Sequence, residues 1–333
     1  METKFQCLVR RITYGSPVLT VLANGRDARR VMKARYPSPP ERPVVISVNP
    51  YSGLCDRLRG MCGVYQICKE LGLEYKIAHF VPFALYDYLE PNKVDWRIEE
   101  KDIEWDTRLV KIMSWHGAAL LRPWPTSHND THNFHFRQFK KVLAKVKNKN
   151  QVHVYNNLEC VKYEDINGLF HELFKPTEEL QKLVDWNKEQ IGGAYISITT
   201  RFQNLIGDFY EGKSFGELAT EEEKQDYISR CIKKIEEIHN QHPDKNVLVT
   251  SDSVRFLDVA KQLPYVHVNP GKRCHLSHVK DAGHMVYLNS FVDLLTIADA
   301  TKTYQLVTGR MYKGFFTKTA AAINSRPYEL VQF

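Results

Sequence analysis

The sequence predicts an α/β protein made of two doubly wound halves that face each other across a cleft. From Val44 onward, short β-branched runs alternate with amphipathic helical patterns, the mark of βαβ units on a mostly parallel sheet. The chain has 333 residues, more than one hydrophobic core usually fills, so division into two domains is expected. Its 43% hydrophobic and 26% charged residues are globular proportions, which exclude fibrous and disordered classes. The pattern reads as a basic segment over residues 1–42, one Rossmann-like domain over 43–190 and a second over 191–333.

In the first half, Val44 to Val48 reads as a strand, Asn49 to Gly53 as a turn and Leu54 to Leu71 as a helix. Leu54, Leu58, Met61, Tyr65, Cys68 and Leu71 recur at steps of three and four, which places them on one buried face. Further strands are expected at 75–80, 109–113 and 152–155. Residues 82–106 and 122–136 are rich in Pro, Trp, Tyr and His and read as long loops or short irregular helices. Loops of that length usually form binding surfaces, which singles out His128 and His132. Pro176-Thr177-Glu178-Glu179 opens another helix and Gly192-Gly193 ends it, with the hinge between the halves placed near there.

The second half is more regular. Strands are expected at 194–200, 247–250, 265–268 and 304–307, with helices at 253–262, 289–298 and 312–323 between or after them. Thr220-Glu221-Glu222-Glu223 is a capping box, so a helix starts there and runs to about Asn240.

Charge and cysteine usage narrow the setting. Of the net +7, most sits in residues 1–42, where nine Lys and Arg face three acids, so the body is nearly neutral and unsuited to nucleic acid. A second basic run, Arg137 to Lys149, fits a solvated helix face or peripheral contact with an anionic membrane surface or polysaccharide. No apolar stretch approaches the length of a membrane span, and the N-terminus lacks the h-region of a secretory signal. Seven cysteines at irregular spacing are not a disulfide framework, so a cytoplasmic protein with reduced thiols is expected.

In open α/β sheets, ligands bind beyond the carboxyl ends of strands, where helix N-termini present free N–H groups to anions. In the second half those positions are Arg201, Ser251-Asp252-Ser253, the stretch 269–278 and Thr308-Gly309-Arg310. Arg201 can grip a diphosphate with two parallel hydrogen bonds, or it can be a surface arginine in a salt bridge. Asp252 can accept N–H donors from a base or ribose hydroxyls, or cap the following helix together with Ser251. Asp56 suits the first turn of its helix. Neither G-x-G-x-x-G nor G-x-x-x-x-G-K-[ST] occurs after the first strand, which weighs against dehydrogenase and ATPase chemistry. Two histidine groups, His128/His132/His135 and Cys274/His275/His278, lack a recognised zinc pattern, so no metal is expected.

These positions resemble the fucosyltransferase-like glycosyltransferases of GT-B fold, the group of the nodulation and core α-1,6-fucosyltransferases and the protein O-fucosyltransferases. The resemblance lies in Ser52 to Gly60, in Ile196 to Arg201 followed by Asp208, in Val247 to Asp252, and in Phe291 to Leu295 with Gly314 to Ala321. It spans roughly residues 44–328 in the family's order and is nearest to bacterial surface-polysaccharide members. Three departures stand out. Ile198 and Thr200 replace the histidine and first arginine of an H-x-R-R-x-D-like motif, the spacing to Asp208 is longer, and Gly314 stands where many members have serine.

The resemblance implies a cytoplasmic, inverting, metal-independent transferase that moves a sugar, fucose, from GDP to a glycan acceptor. It implies that Arg201, Ser251, Asp252, Gly314, Phe316 and Thr317 hold the nucleotide, with Arg201 neutralising the departing diphosphate. Asp208, Glu211 and Asp56 become the candidate bases in that order, and Arg57, His128 and His132 the acceptor contacts. No cofactor beyond the donor is implied. The alternative is a non-catalytic α/β protein that binds a nucleotide or glycan.

Overall fold

The computed structural model describes residues 42–48, 52–115, 128–156, 161–209, 216–271 and 283–333; the side chains of 114, 115 and 128–135 lie outside the description. The chain divides into two compact units, Met1–Lys175 and Pro176–Phe333.

The first unit carries a parallel sheet. Strand β1 (Val44–Val48) is followed by helix α1 (Leu54–Leu71), β2 (Tyr75–Ala78), and a short strand β3 (Leu89–Pro91) between two 3-10 turns. Then come β4 (Val110–Trp115), α2 (His128–Leu143), β5 (Gln151–Asn156), α3 (Tyr163–Leu173) and β6 (Phe174–Pro176). The sheet order is β2-β1-β5-β4, all parallel, while β3 pairs with β6 in a separate two-stranded sheet. Helix α1 occupies the span read from its periodicity, and Leu54, Leu58, Met61, Tyr65 and Cys68 are all buried. It stops because Gly72 takes the left-handed conformation (φ 63°) and returns its N–H to the last turn. Cys55, Cys62 and Cys68 are buried.

Two expectations for this half need correction. The stretch 122–136 reads as a long loop or short irregular helices, whereas its described part from His128 opens the regular 16-residue helix α2, whose Phe139 and Leu143 are buried. Stretch 82–106 is irregular as expected, but Leu85, Tyr88, Leu89 and Trp96 are core residues, and the Trp96 indole donates to Leu173 O at 2.7 Å. The aromatic content of that stretch is therefore spent largely on packing.

The second unit begins with α4 (Glu178–Ile191), capped by Thr177 and closed at Gly192. The division at Lys175 puts this helix with the second unit, one helix before the hinge read from the sequence. There follow β7 (Tyr195–Thr200), α5 (Glu221–His239), β8 (Asn246–Ser251), α6 (Val254–Ala260), β9 (Val266–His267), α7 (His284–Asp299), β10 (Thr303–Val307), α8 (Phe316–Ile323) and β11 (Tyr328–Gln332). The order is β11-β10-β7-β8-β9, all parallel. The capping box at α5 has both of its reciprocal bonds, Thr220 Oγ1 to the Glu223 N–H and the Glu223 carboxylate to the Thr220 N–H. Ile228, Cys231, Ile235 and Ile238 of α5 pack on Ile196, Ile198, Val247, Val249 and Leu306 of the strands, each apolar side chain contributing about 1.5–3 kcal/mol. Strand β11 was not read from the sequence, and α8 starts at Phe316, four residues after the expected start.

Candidate functional site

In the second sheet the chain leaves β7 toward β8 and β9 on one side, then returns through α7 to place β10 on the other side of β7. The strand order reverses between β7 and β10, and in such sheets ligands bind at the carboxyl ends of the strands flanking this reversal. Arg201 follows β7 directly, and residues 308–315 link β10 to α8.

The two segments meet there. The Arg201 guanidinium carbon lies 5.1 Å from the centre of the Tyr312 ring, and the Tyr312 N–H donates to Arg201 O at 3.2 Å. Gly314 closes the same corner: a Cβ placed on it would lie 3.5 Å from Arg201 Nη1 and 3.6 Å from Arg201 Cδ. Two residues further on, Phe316 begins α8, and Thr317 in its first turn is buried. The corner thus brings together one fixed cation, a buried glycine backbone and the N-terminal end of a helix, the components of an anion site.

Strand β8 holds this corner from the side. The Asp252 carboxylate accepts the N–H of Phe202 through one oxygen at 2.9 Å and that of Gln203 through the other at 2.8 Å. Ser251 Oγ accepts from Thr200 Oγ1 at 2.9 Å and from the Ser253 N–H at 3.1 Å. Both side chains therefore fix the turn after Arg201 and the entry to α6. Gln203 takes a left-handed conformation (φ 55°) within that turn, which a non-glycine residue adopts only under local constraint. Asp208 carries the turn onward: its Oδ2 accepts from Ser253 Oγ and from the Arg255 N–H, each at 2.8 Å.

The remaining described candidates, Arg57 and Asp56, belong to the first unit. Arg57 is buried in α1, donating through Nε to Ser52 O at 2.7 Å and through Nη1 to Val81 O at 3.4 Å, with His79 Nε2 3.2 Å from Nη1. A guanidinium only donates, so His79 Nε2 accepts and its Nδ1–H donates to Phe83 O at 3.0 Å. Burial, helped by the Arg57 charge, pushes the His79 pKa down to about 3, so the ring is neutral. Asp56 lies 3.8 Å from Arg59 in the first turn of α1. His128 and His132 fall in α2 with their side chains outside the description, and Glu211, Cys274, His275 and His278 lie outside the described residues. Among the described residues no group of three or more His, Cys, Asp or Glu stands together as a metal site, and no helix is long and apolar enough to cross a membrane.

Sequence reasoning missed Tyr312, which it placed at the start of a helix. The available signal was the aromatic residue two positions before Gly314, in the segment after β10.

No family model matches the sequence, and no curated protein matches it. Solved structures do. A NodZ α-1,6-fucosyltransferase soaked with GDP-fucose aligns with a TM-score of 0.55 at 13% identity, over 85% of this chain and 93% of that one. Fucosyltransferase NodZ from Bradyrhizobium aligns with a TM-score of 0.55 at 14% identity, over 84% and 93%. A mutant FUT1 of Arabidopsis thaliana in complex with GDP aligns with a TM-score of 0.53 at 11% identity, over 95% and 79%. The two parallel sheets of four and five strands, with their helices, are the GT-B fold of these fucosyltransferases.

Proposed function

We propose that this protein is a glycosyltransferase that takes a sugar, fucose, from a GDP-sugar and delivers it with inversion to a glycan acceptor. The observation that carries the reading is the Arg201 corner at the strand-order reversal of the second sheet, where a cation, the Gly314 backbone and the start of α8 converge. The GDP-fucose soaked into the NodZ structure and the GDP in the FUT1 complex support a guanine nucleotide as the donor's leaving half.

The barrier to such a transfer is departure of the diphosphate from an oxocarbenium-like carbon. A fixed charge aimed at the leaving oxygens stabilises that transition state more than the ground state. Arg201 has that part, aided by the N–H groups at the start of α8 around Phe316 and Thr317. The attacking hydroxyl must lose a proton, and an ionised carboxylate of the protein is the candidate base that takes it. Asp208 and Glu211 follow Arg201, and Asp56 belongs to the first unit. Asp208 accepts from Ser253 and Arg255 through Oδ2, so Oδ1 is the oxygen that would take the proton, and the order of candidates stays Asp208, Glu211, Asp56. His128, His132 and Arg57 remain the proposed acceptor contacts; buried Arg57 would serve by holding the loop at Ser52 and Val81. The setting we propose is the cytoplasm, with the basic run 137–149 as the region for peripheral contact with an anionic membrane surface.

The test is a titration of GDP, UDP, CDP and their sugars, followed by thermal unfolding, with release of free sugar measured on the donors that bind. GDP compounds should stabilise the protein and others should not, by nearly 3 kcal/mol at about 100-fold excess over Kd. The second reading, nucleotide binding without turnover, draws on Thr200, whose hydroxyl is committed to Ser251 where a second cation would stand in the resembling motif. Binding of GDP-fucose with no release of sugar would favour it.

A further inference from the structure

We propose that Tyr312 is a positioning residue: its ring holds the Arg201 guanidinium in the plane needed to grip a diphosphate, while Asp252 fixes the backbone from which that side chain projects. The proposal rests on the donor reading above and extends it to residues that no motif assigns to this task.

Three features support it. Arg201 and Tyr312 come from segments after adjacent strands, β7 and β10, and they are tied twice: guanidinium to ring at 5.1 Å, and Tyr312 N–H to Arg201 O at 3.2 Å. Tyr312 is 39% exposed, so burial of a core aromatic does not account for its place. A guanidinium that lies flat on a ring keeps its hydrogen bonds in its own plane, so a stacked contact of this kind orients the charge without using the donors that grip a diphosphate. Asp252, the acid that follows β8, accepts the N–H groups of Phe202 and Gln203 through its two oxygens, and so anchors the two residues after Arg201.

An arginine side chain has four rotatable bonds, and freezing them at the moment of binding costs affinity. Holding the guanidinium beforehand removes part of that cost. For an exposed cation–π contact the effect on binding is about two- to fivefold.

The experiment compares Tyr312→Phe, which keeps the ring, with Tyr312→Leu, which removes it, each alone and combined with Arg201→Ala. Two readouts are taken on the full chain: GDP affinity by calorimetry, and the Nε–Hε resonance of Arg201 by NMR, assigned through its loss in Arg201→Lys. We expect an upfield ring-current shift of that resonance in the wild type and Tyr312→Phe, absent in Tyr312→Leu. We expect Tyr312→Leu to weaken GDP binding about two- to fivefold, Tyr312→Phe to leave it unchanged, and neither to matter once Arg201 is gone. The same loss in the Arg201→Ala background, or a resonance indifferent to the ring, would overturn the proposal. If the wild type binds no GDP, the donor reading falls, and the resonance alone still decides whether the ring holds Arg201.

Discussion

Asp208 and Ser253 are joined by a 2.8 Å hydrogen bond, and the same carboxylate oxygen accepts the Arg255 N–H at the start of α6. The acid that a sequence motif offers as a base is thus fastened to a helix entry. Asp208→Ala should lower the unfolding free energy by roughly 1 kcal/mol through loss of these bonds. If that is its main role, Asp208→Asn should retain the shape of the pH–rate profile. Disappearance of an ionisation limb in Asp208→Asn would identify it as the base after all.

Gly314 offers a second test, because the space beside it is defined. A Cβ there would meet Arg201 Nη1 at 3.5 Å and Tyr312 Cδ1 at 3.6 Å, ordinary contact distances. Gly314→Ala should therefore change stability by no more than about 0.5 kcal/mol. Gly314→Ser adds a hydroxyl beside the guanidinium and should tighten GDP binding severalfold by donating to the same diphosphate. Loss of binding in Gly314→Ala would mean that the guanidinium cannot share this corner with a methyl group.

Two buried histidines make stability sensitive to acid. Burial pushes the pKa of both His79 and His153 down to about 3 from an ordinary value of 6.5. The unfolded chain therefore binds more protons than the folded one between those values. Their contribution is complete above pH 6.5 and is lost as the pH falls toward 3. Urea unfolding at about pH 7 and about pH 5 should show a lower midpoint at the acid value, and His79→Gln should reduce that difference. An undiminished difference in both His79→Gln and His153→Gln would place the acid sensitivity elsewhere.

The proposed mechanism assigns charge neutralisation to a side chain that is always protonated. Chelation by EDTA should then leave the rate unchanged, and a strict Mg²⁺ requirement would contradict the assignment.

Much of the fold was legible because local pattern and tertiary packing agree. The steps of three and four from Leu54 to Leu71 and the Thr220–Glu223 box are local signals, and both elements occur where they were read. Edge elements were less legible. The strand Tyr328–Gln332 pairs on one side only and is mostly half-exposed, so it lacks the continuous apolar run of the central strands. Helix His128–Leu143 was hidden by its polar first half, and α8 was read four residues early because nothing local reports that the Tyr312 N–H is bound to Arg201 O. The candidate site was legible as a list of polar residues after strands. Which of them hold the loop and which face a ligand depended on contacts across some 50 residues, such as Asp252 with Phe202 and Asp208 with Ser253.

The most direct test of the account is release of GDP from GDP-fucose by the wild type and by Arg201→Ala, with folding of the variant verified by circular dichroism. The account predicts a fall in rate of about 10²–10³-fold in a folded protein, the loss expected when a charged donor to a leaving group is removed. A variant that turns over the donor within a factor of about two of the wild type would contradict it.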